Sequence, residues 1–198
     1  MLFADPLPTL ADAELDYLPG WVDAGLADSW LHTLVEQTPW QQPELFIHGR
    51  YHRTPRLTAW YGDPGAAYAY SGIALEPLPW LPVLLEIKKH IEAIAAYTFN
   101  SVLANHYRNG ADSMGWHSDD EPTLGDRPVI ASLSLGSARR FILRHKNDQQ
   151  LEPVELPLGD GALLIMRHET QKFWKHHVPK SQQCVGARVN LTFRKIVQ

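Results

Sequence analysis

Beyond Phe99 the chain is written in short β-rich runs: Ser101 to Tyr107, Val129 to Leu135, Arg140 to Arg144, Ala162 to Met166 and Val189 to Ile196. Gly110, Gly125, Gly136, Gly159, Gly161 and Gly186 separate or flank them, the punctuation that closely spaced antiparallel strands require. Strands of this kind close on themselves most readily as a double-sheet jelly roll. Ahead of them, Leu26, Trp30, Leu31, Leu34 and Val35 recur at helical spacing within Val22 to Gln37, with Pro39 beyond as a stop. Leu84, Leu85, Ile87, Ile91 and Ile94 repeat the pattern between Pro82 and Ala96. Glu44 to Tyr70 reads as a hairpin followed by an aromatic-rich strand. The expectation is an α+β, mainly β fold: a double-stranded β-helix in which residues 1–98 supply supporting helices and a hairpin, and residues 99–198 the jelly-roll core.

With 198 residues, 22.4 kDa and 44% hydrophobic content, the chain can bury a full core as one domain. No run approaches the roughly 18 apolar residues of a membrane span, and Met1 to Pro8 lacks a basic region followed by an apolar one. A single cysteine, Cys184, precludes an internal disulfide and fits a reducing, cytoplasmic compartment. The net charge of -4 argues against nonspecific nucleic-acid binding. Local basic clusters, at Arg50, Arg53 and Arg56, at Arg139, Arg140, Arg144 and Lys146, and at Lys172, Lys175 and Lys180, are either solvated strand edges or a phosphate track.

Within the β-rich half lie His117-Ser118-Asp119, a histidine pair His176-His177, and Arg188-Val189-Asn190-Leu191-Thr192-Phe193-Arg194. An imidazole and a carboxylate two residues apart share one face of an extended strand. A second imidazole from far along the chain completes three ligands, the set that leaves coordination positions open in non-haem Fe(II) oxygenases. A zinc hydrolase also accepts two histidines and an aspartate, but gives the two arginines no task. Arg188 and Arg194 share one side of a strand by parity, and their guanidinium forks suit a small dicarboxylate such as 2-oxoglutarate. His-x-Asp alone is a weak signal in a chain with 10 histidines. The order and spacing of all three parts strengthen it.

These motifs, with Asn105-His106-Tyr107, Asp120-Glu121, Trp174-Lys175-His176-His177-Val178-Pro179-Lys180, Gly49-Arg50-Tyr51-His52, Pro55-Arg56 and Tyr61-Gly62-Asp63, resemble AlkB-type Fe(II)/2-oxoglutarate dioxygenases, in particular the animal DNA-repair members. The resemblance covers about three quarters of the chain. It implies iron held by His117, Asp119 and His176, chosen over His177 because the family pattern of tryptophan, one residue, histidine, one residue, aliphatic, proline falls on His176. It implies that Arg194 pairs with the distal carboxylate of 2-oxoglutarate, helped by Arg188 and the Tyr107 hydroxyl, with Asn105 and Asn190 nearer the chelating end. With O2 as oxidant and ascorbate as supporting reductant, such an enzyme converts 2-oxoglutarate to succinate and CO2 and hydroxylates an N-methyl group, which leaves as formaldehyde.

For substrate, the resemblance implies alkylated DNA carrying 1-methyladenine or 3-methylcytosine. Glu121 matches the position that meets the exocyclic amino group, and Tyr70, with Tyr68 on the same strand face, matches the stacking aromatic. Arg56 joins the phosphate track, and the hairpin within residues 1–98 becomes a nucleotide-recognition hairpin packed, with the N-terminal helices, on the core. Where duplex-active relatives carry an apolar-aromatic finger this chain has Ile47-His48-Gly49, a poorer wedge, so single-stranded DNA and RNA stay open. Oxidation of protein or tRNA and a noncatalytic nucleic-acid binding module are the rival readings. A monomer is expected.

Overall fold

The computed structural model describes residues 9–47, 49–66, 68–70, 73–183 and 186–197, with the side chains of residues 45, 47, 68–70 and 73–75 outside that description. Two antiparallel sheets face each other. The larger has six strands in the order β1 (Glu14–Leu18), β12 (Ala162–Arg167), β9 (Val129–Gly136), β14 (Arg188–Arg194), β7 (Ser101–Tyr107), β4 (Leu57–Gly62). The smaller has four: β11 (Val154–Leu158), β10 (Arg139–His145), β13 (Trp174–Val178) and β8 (Met114–His117). Two hairpins stand apart, β2 (Glu44–Ile47) with β3 (Arg50–Arg53) and β5 (Tyr68–Tyr70) with β6 (Ile73–Leu75). The double-sheet jelly roll expected from the glycine-punctuated runs is the fold observed.

Strand parity decides which residues face which core. On β14, Val189, Leu191 and Phe193 pack with Val102 and Ala104 of β7 and Leu133 and Leu135 of β9 beneath two helices, α1 (Ala24–Gln37) and α2 (Pro82–Ala95). Their buried stripes, Ala27, Trp30 and Leu34 on α1 and Val83, Leu84, Ile87 and Ile91 on α2, cover that face. Asp23 caps α1 by accepting from the Leu26 amide at 3.1 Å, and the helix stops at Thr38, ahead of Pro39. Pro82 occupies the first turn of α2, and Ala96, at φ 50°, turns the chain out of it. The opposite parity faces between the sheets, where Leu103, Ile130, Phe141, Leu143, Leu164 and Trp174 form a second apolar cluster.

Several boundaries differ from the sequence expectation. Strands β1 and β4, from the first half of the chain, lie at the edges of the six-stranded sheet, so residue 98 is not a structural boundary between supports and core. Strand β8 ends at His117, and Asp119 lies in the bend beyond it. Strand β1, with only five residues, and the four-residue helix α3 (Thr170–Phe173) are too short for periodicity to mark. No helix among the described residues is long and apolar enough to cross a membrane.

Gly136, at φ 86°, ends β9, and its partner in register is Arg188, the first residue of β14. A Cβ there would stand 2.5 Å from the Ala187 carbonyl oxygen and 2.9 Å from a Leu31 methyl. Left-handed backbone and crowding both act against a side chain. Gly136→Ala should therefore destabilise the protein by more than about 1 kcal/mol, lowering Tm by roughly 2–4 °C or more on calorimetry. An unchanged Tm would show that the turn relaxes without cost.

Candidate active site

The inward parity of β7 and β14 brings polar side chains into the space between the sheets. A small cavity between the sheets is walled by Asn105, Tyr107, His117, Asp119, His176, Arg188, Asn190, Thr192 and Arg194, with Met114, Phe141, Met166 and Val178 as apolar lining. His117 and His176 are partners across the β8–β13 pair, with ring centroids 4.3 Å apart. One ligand atom from each of His117, Asp119 and His176 lies within 4.8 Å of the others, the only such metal-capable group among the described residues. Between His176 and His177, β13 is extended, so the two alternate: His176 is buried in the cavity, and His177 stacks on Trp116 at 3.8 Å on the opposite face.

The triad is braced from behind. Asp119 takes its place because its backbone amide donates to Gln171 Oε1 at 2.9 Å, while Ser118 Oγ donates to the Trp174 carbonyl at 2.9 Å. The His117 Nδ1 atom is 2.9 Å from the Gly115 carbonyl; with the proton on Nδ1, the Nε2 lone pair faces the site. Phe141 stacks on His176 with centroids 5.0 Å apart. Burial pushes the Asp119 carboxyl up, but Arg194 and the two imidazoles outweigh it and hold its pKa at about 2. Burial, reinforced by His117 and Arg194 against the opposing pull of Asp119, takes His176 down to about 3. Near neutrality the set is thus one carboxylate with a neutral imidazole at His176, a protonation state suited to a divalent metal.

The arginines occupy opposite ends of β14 and meet different partners. Arg194, expected at a distal carboxylate, donates to Asp119 Oδ1 at 2.5 Å. Arg188 lies deep against the Tyr107 ring, 5.0 Å from its centroid, and donates to Ser134 Oγ at 2.9 Å. Its Nε and Nη1 are buried without a hydrogen-bond partner among the described residues, and burial depresses its pKa. An arginine fork held this way is an anion receptor awaiting its anion. Asn190 is locked by Ser132 Oγ at 2.8 Å and the Leu133 carbonyl at 3.0 Å, and its own oxygen accepts from Thr192 Oγ1 at 3.1 Å. Asn105 Oδ1 accepts from Arg56 Nε at 2.7 Å, which leaves the Asn105 amide N–H groups as what it can offer.

Other expectations fare variously. Arg56, placed on a phosphate track, is 4% exposed and engaged with Asn105; Arg139 is equally buried and donates to the carbonyls of Asn109, Asp112 and Pro179. Both are structural arginines and leave the track. Arg140 and Lys146 pair with Glu155 and Asp120 at 2.6 and 2.9 Å. Glu121 is half-buried at the head of the turn Pro122–Leu124, outside the cavity wall. Tyr68 and Tyr70 lie on β5, their side chains outside the described residues, and His48 lies outside them altogether. The exposed aromatics of the first hairpin are Phe46 and Tyr51, 65% and 73% accessible, with centroids 5.0 Å apart. Sequence reasoning missed these two, together with Gln171, Ser132 and Ser134. The serines had a signal, since they are the polar alternates in the apolar run Val129–Gly136.

A jelly roll with a two-histidine, one-carboxylate set beside an unsatisfied buried arginine belongs with the oxygenases. The family model described as the 2OG-Fe(II) oxygenase superfamily matches residues 14–194, and the chain belongs to that superfamily. Within it, the chain is 47% identical over 186 residues to the alpha-ketoglutarate-dependent dioxygenase alkB homolog 3 of Mus musculus, covering 90% of this chain and 64% of that protein. It is 44% identical over 157 residues to the Homo sapiens DNA oxidative demethylase ALKBH2, covering 76% and 60%. The chain therefore spans somewhat less than two thirds of the length of these relatives. A solved structure of OsALKBH1, 19% identical, superposes with a TM-score of 0.63 over 91% of this chain and 97% of that one, a likeness of fold.

Removing a ligand and removing its brace should differ in degree. His176→Ala should abolish tight Fe(II) or Mn(II) binding in an anaerobic titration, Gln171→Ala should weaken it about 10- to 100-fold, and His177→Ala should leave it near wild type. Normal metal affinity in His176→Ala with weakened affinity in His177→Ala would reverse the ligand assignment.

Proposed function

We propose that this protein is an Fe(II)/2-oxoglutarate-dependent dioxygenase that removes N-methyl groups from nucleobases in single-stranded DNA, with 1-methyladenine and 3-methylcytosine as substrates. The observation that carries the cosubstrate part is Arg188, whose buried Nε and Nη1 lack hydrogen-bond partners among the described residues, in the cavity that also holds His117, Asp119 and His176. The nucleobase part is supported by the relatives, one of which is named a DNA oxidative demethylase.

In this reading His117, Asp119 and His176 hold the iron, and Arg188 takes the distal carboxylate of 2-oxoglutarate with Tyr107 beside it. Asn105 offers amide N–H groups along the same wall, Asn190 lies beside it held by Ser132 and the Leu133 carbonyl, and Arg194 keeps Asp119 ionised and oriented. Bound iron, 2-oxoglutarate and O2 supply oxidation of a C–H bond coupled to release of succinate and CO2. Met114, Phe141, Met166 and Val178 keep one side of the cavity apolar, which limits water around the reacting carbon. In the same reading Glu121, at the head of the turn that follows Asp119, supplies the carboxylate for the exocyclic amino group of a methylated, cationic base, and Tyr68 and Tyr70 of β5 supply the stacking aromatics. Phe46 and Tyr51 offer exposed rings to unpaired bases of the strand.

Swapping each arginine for lysine separates the two ends of the cavity, because charge is kept while the fork is removed. Arg188→Lys should raise the half-saturating 2-oxoglutarate concentration roughly tenfold or more, whereas Arg194→Lys should act mainly on iron retention through Asp119. The reverse pattern would place the distal carboxylate at Arg194.

Formaldehyde release from a methylated single-stranded oligonucleotide tests the substrate. Glu121→Ala should lower the rate by about one to two orders of magnitude with iron and 2-oxoglutarate affinity largely kept, since an amino group left unpaired costs about 1–3 kcal/mol. Equal rates would remove Glu121 from base recognition, and no formaldehyde from the unaltered protein on DNA, with release from a methylated RNA or protein, would reassign the substrate.

A further inference from the structure

The two strands that carry histidine ligands inward carry a second constellation outward. On β8, Trp116 precedes His117 and points to the opposite face; on β13, His177 follows His176 and does the same. The Trp116 and His177 rings stack at 3.8 Å with 20° between planes, and Trp116 remains 39% exposed. Two cations approach the tryptophan ring: Arg144, 5.1 Å from its centroid, and Lys175, 5.8 Å. They are register partners across β10 and β13. Among the described residues neither has a carboxylate within ion-pair distance, unlike Arg140, which Glu155 neutralises on the same face. Strand β8 is the free edge of its sheet, so this face and the cavity are separated by one strand.

We propose that this outer face of the four-stranded sheet, centred on the Trp116–His177 stack, is a platform for the single-stranded nucleic acid that flanks the base presented to the cavity. Exposed stacked rings accept a base by stacking, and unneutralised cations beside them accept the phosphates that follow. Uncharged or cationic partners would leave Arg144 and Lys175 without their complement. A strand passing round the β8 edge would meet the ligand residues on one side and their chain neighbours on the other. The platform rests on the nucleobase reading of the site, and it accounts for a cationic surface on a chain whose net charge is -4.

Binding and turnover can be read separately. The double variant Arg144→Glu/Lys175→Glu should bind a long unmodified oligothymidylate roughly tenfold or more weaker in fluorescence anisotropy. It should also flatten the dependence of log affinity on log salt by about 1.4, or ~0.7 for each phosphate that is no longer neutralised. Trp116→Leu should weaken binding of the same oligomer about fivefold or more without altering that slope. Melting temperature and metal affinity identify any variant that has misfolded, and the double variant leaves the ligand strand β8 untouched. Turnover of a methylated trinucleotide, too short to reach the platform, should stay at the unaltered rate in both. Weakening confined to oligouridylate would keep the platform and assign it to RNA. Unchanged affinity and salt slope in both variants, for DNA and RNA alike, would overturn the proposal. A protein that does not demethylate the trinucleotide but binds the oligomers through these residues would count against the proposed reaction and leave the platform standing.

Discussion

Everything in this molecule is arranged about the alternation of β14. Its apolar residues, Val189, Leu191 and Phe193, are fully buried against the helix-covered face, which forces Arg188, Asn190, Thr192 and Arg194 into the interior between the sheets. Four polar groups buried on one central strand would be strongly unfavourable without partners. Three are met from within: Asn190 by Ser132 and the Leu133 carbonyl, Thr192 by Asn190, and Arg194 by Asp119. Arg188 is met by Ser134 and lies against Tyr107, while its Nε and Nη1 find no hydrogen-bond partner among the described residues. The protein thus carries, on a central strand of its largest sheet, a buried cationic fork that an anion would complete, six residues along from Arg194, which pairs with Asp119.

Much of the fold was legible because the signals were local and periodic. The glycine-bounded runs marked β7, β9, β10, β12 and β14 to within a residue or two, and the helical stripes marked α1 and α2, with Pro39 and Pro82 at ends where proline acts through the backbone alone. What escaped detection depends on pairing across the chain. Strand β1 is a strand because β12 lies beside it, and nothing in Glu14–Leu18 announces that partner. Strand β4 falls in the stretch expected to hold a hairpin and a strand, but its pairing with β7, which binds the two halves into one sheet, was not legible.

At the site, the three residues that form the metal-capable group were readable and their supports were not. Parity separated His176 from His177 once β13 was known to be extended, and the outward position of His177 follows from the same alternation. Asp119, in contrast, shares its site with His117 through a bend held by Gln171, a residue over fifty positions away. No spacing rule reaches that far. The buried state of Arg56 and Arg139 was equally hidden, because a basic residue within a polar stretch reads as surface until the carbonyls and amide that hold it are in view.

The proposed function requires coupling between the cavity and a methylated base. Its most direct test is the stoichiometry of one anaerobic mixture of protein, Fe(II), 2-oxoglutarate and a single-stranded oligonucleotide bearing one 1-methyladenine, to which O2 is then admitted. Succinate and formaldehyde should appear in equal amounts as the methyl group leaves the strand. Succinate formed without formaldehyde, at a rate indifferent to the oligonucleotide, would contradict the assignment of a nucleobase substrate.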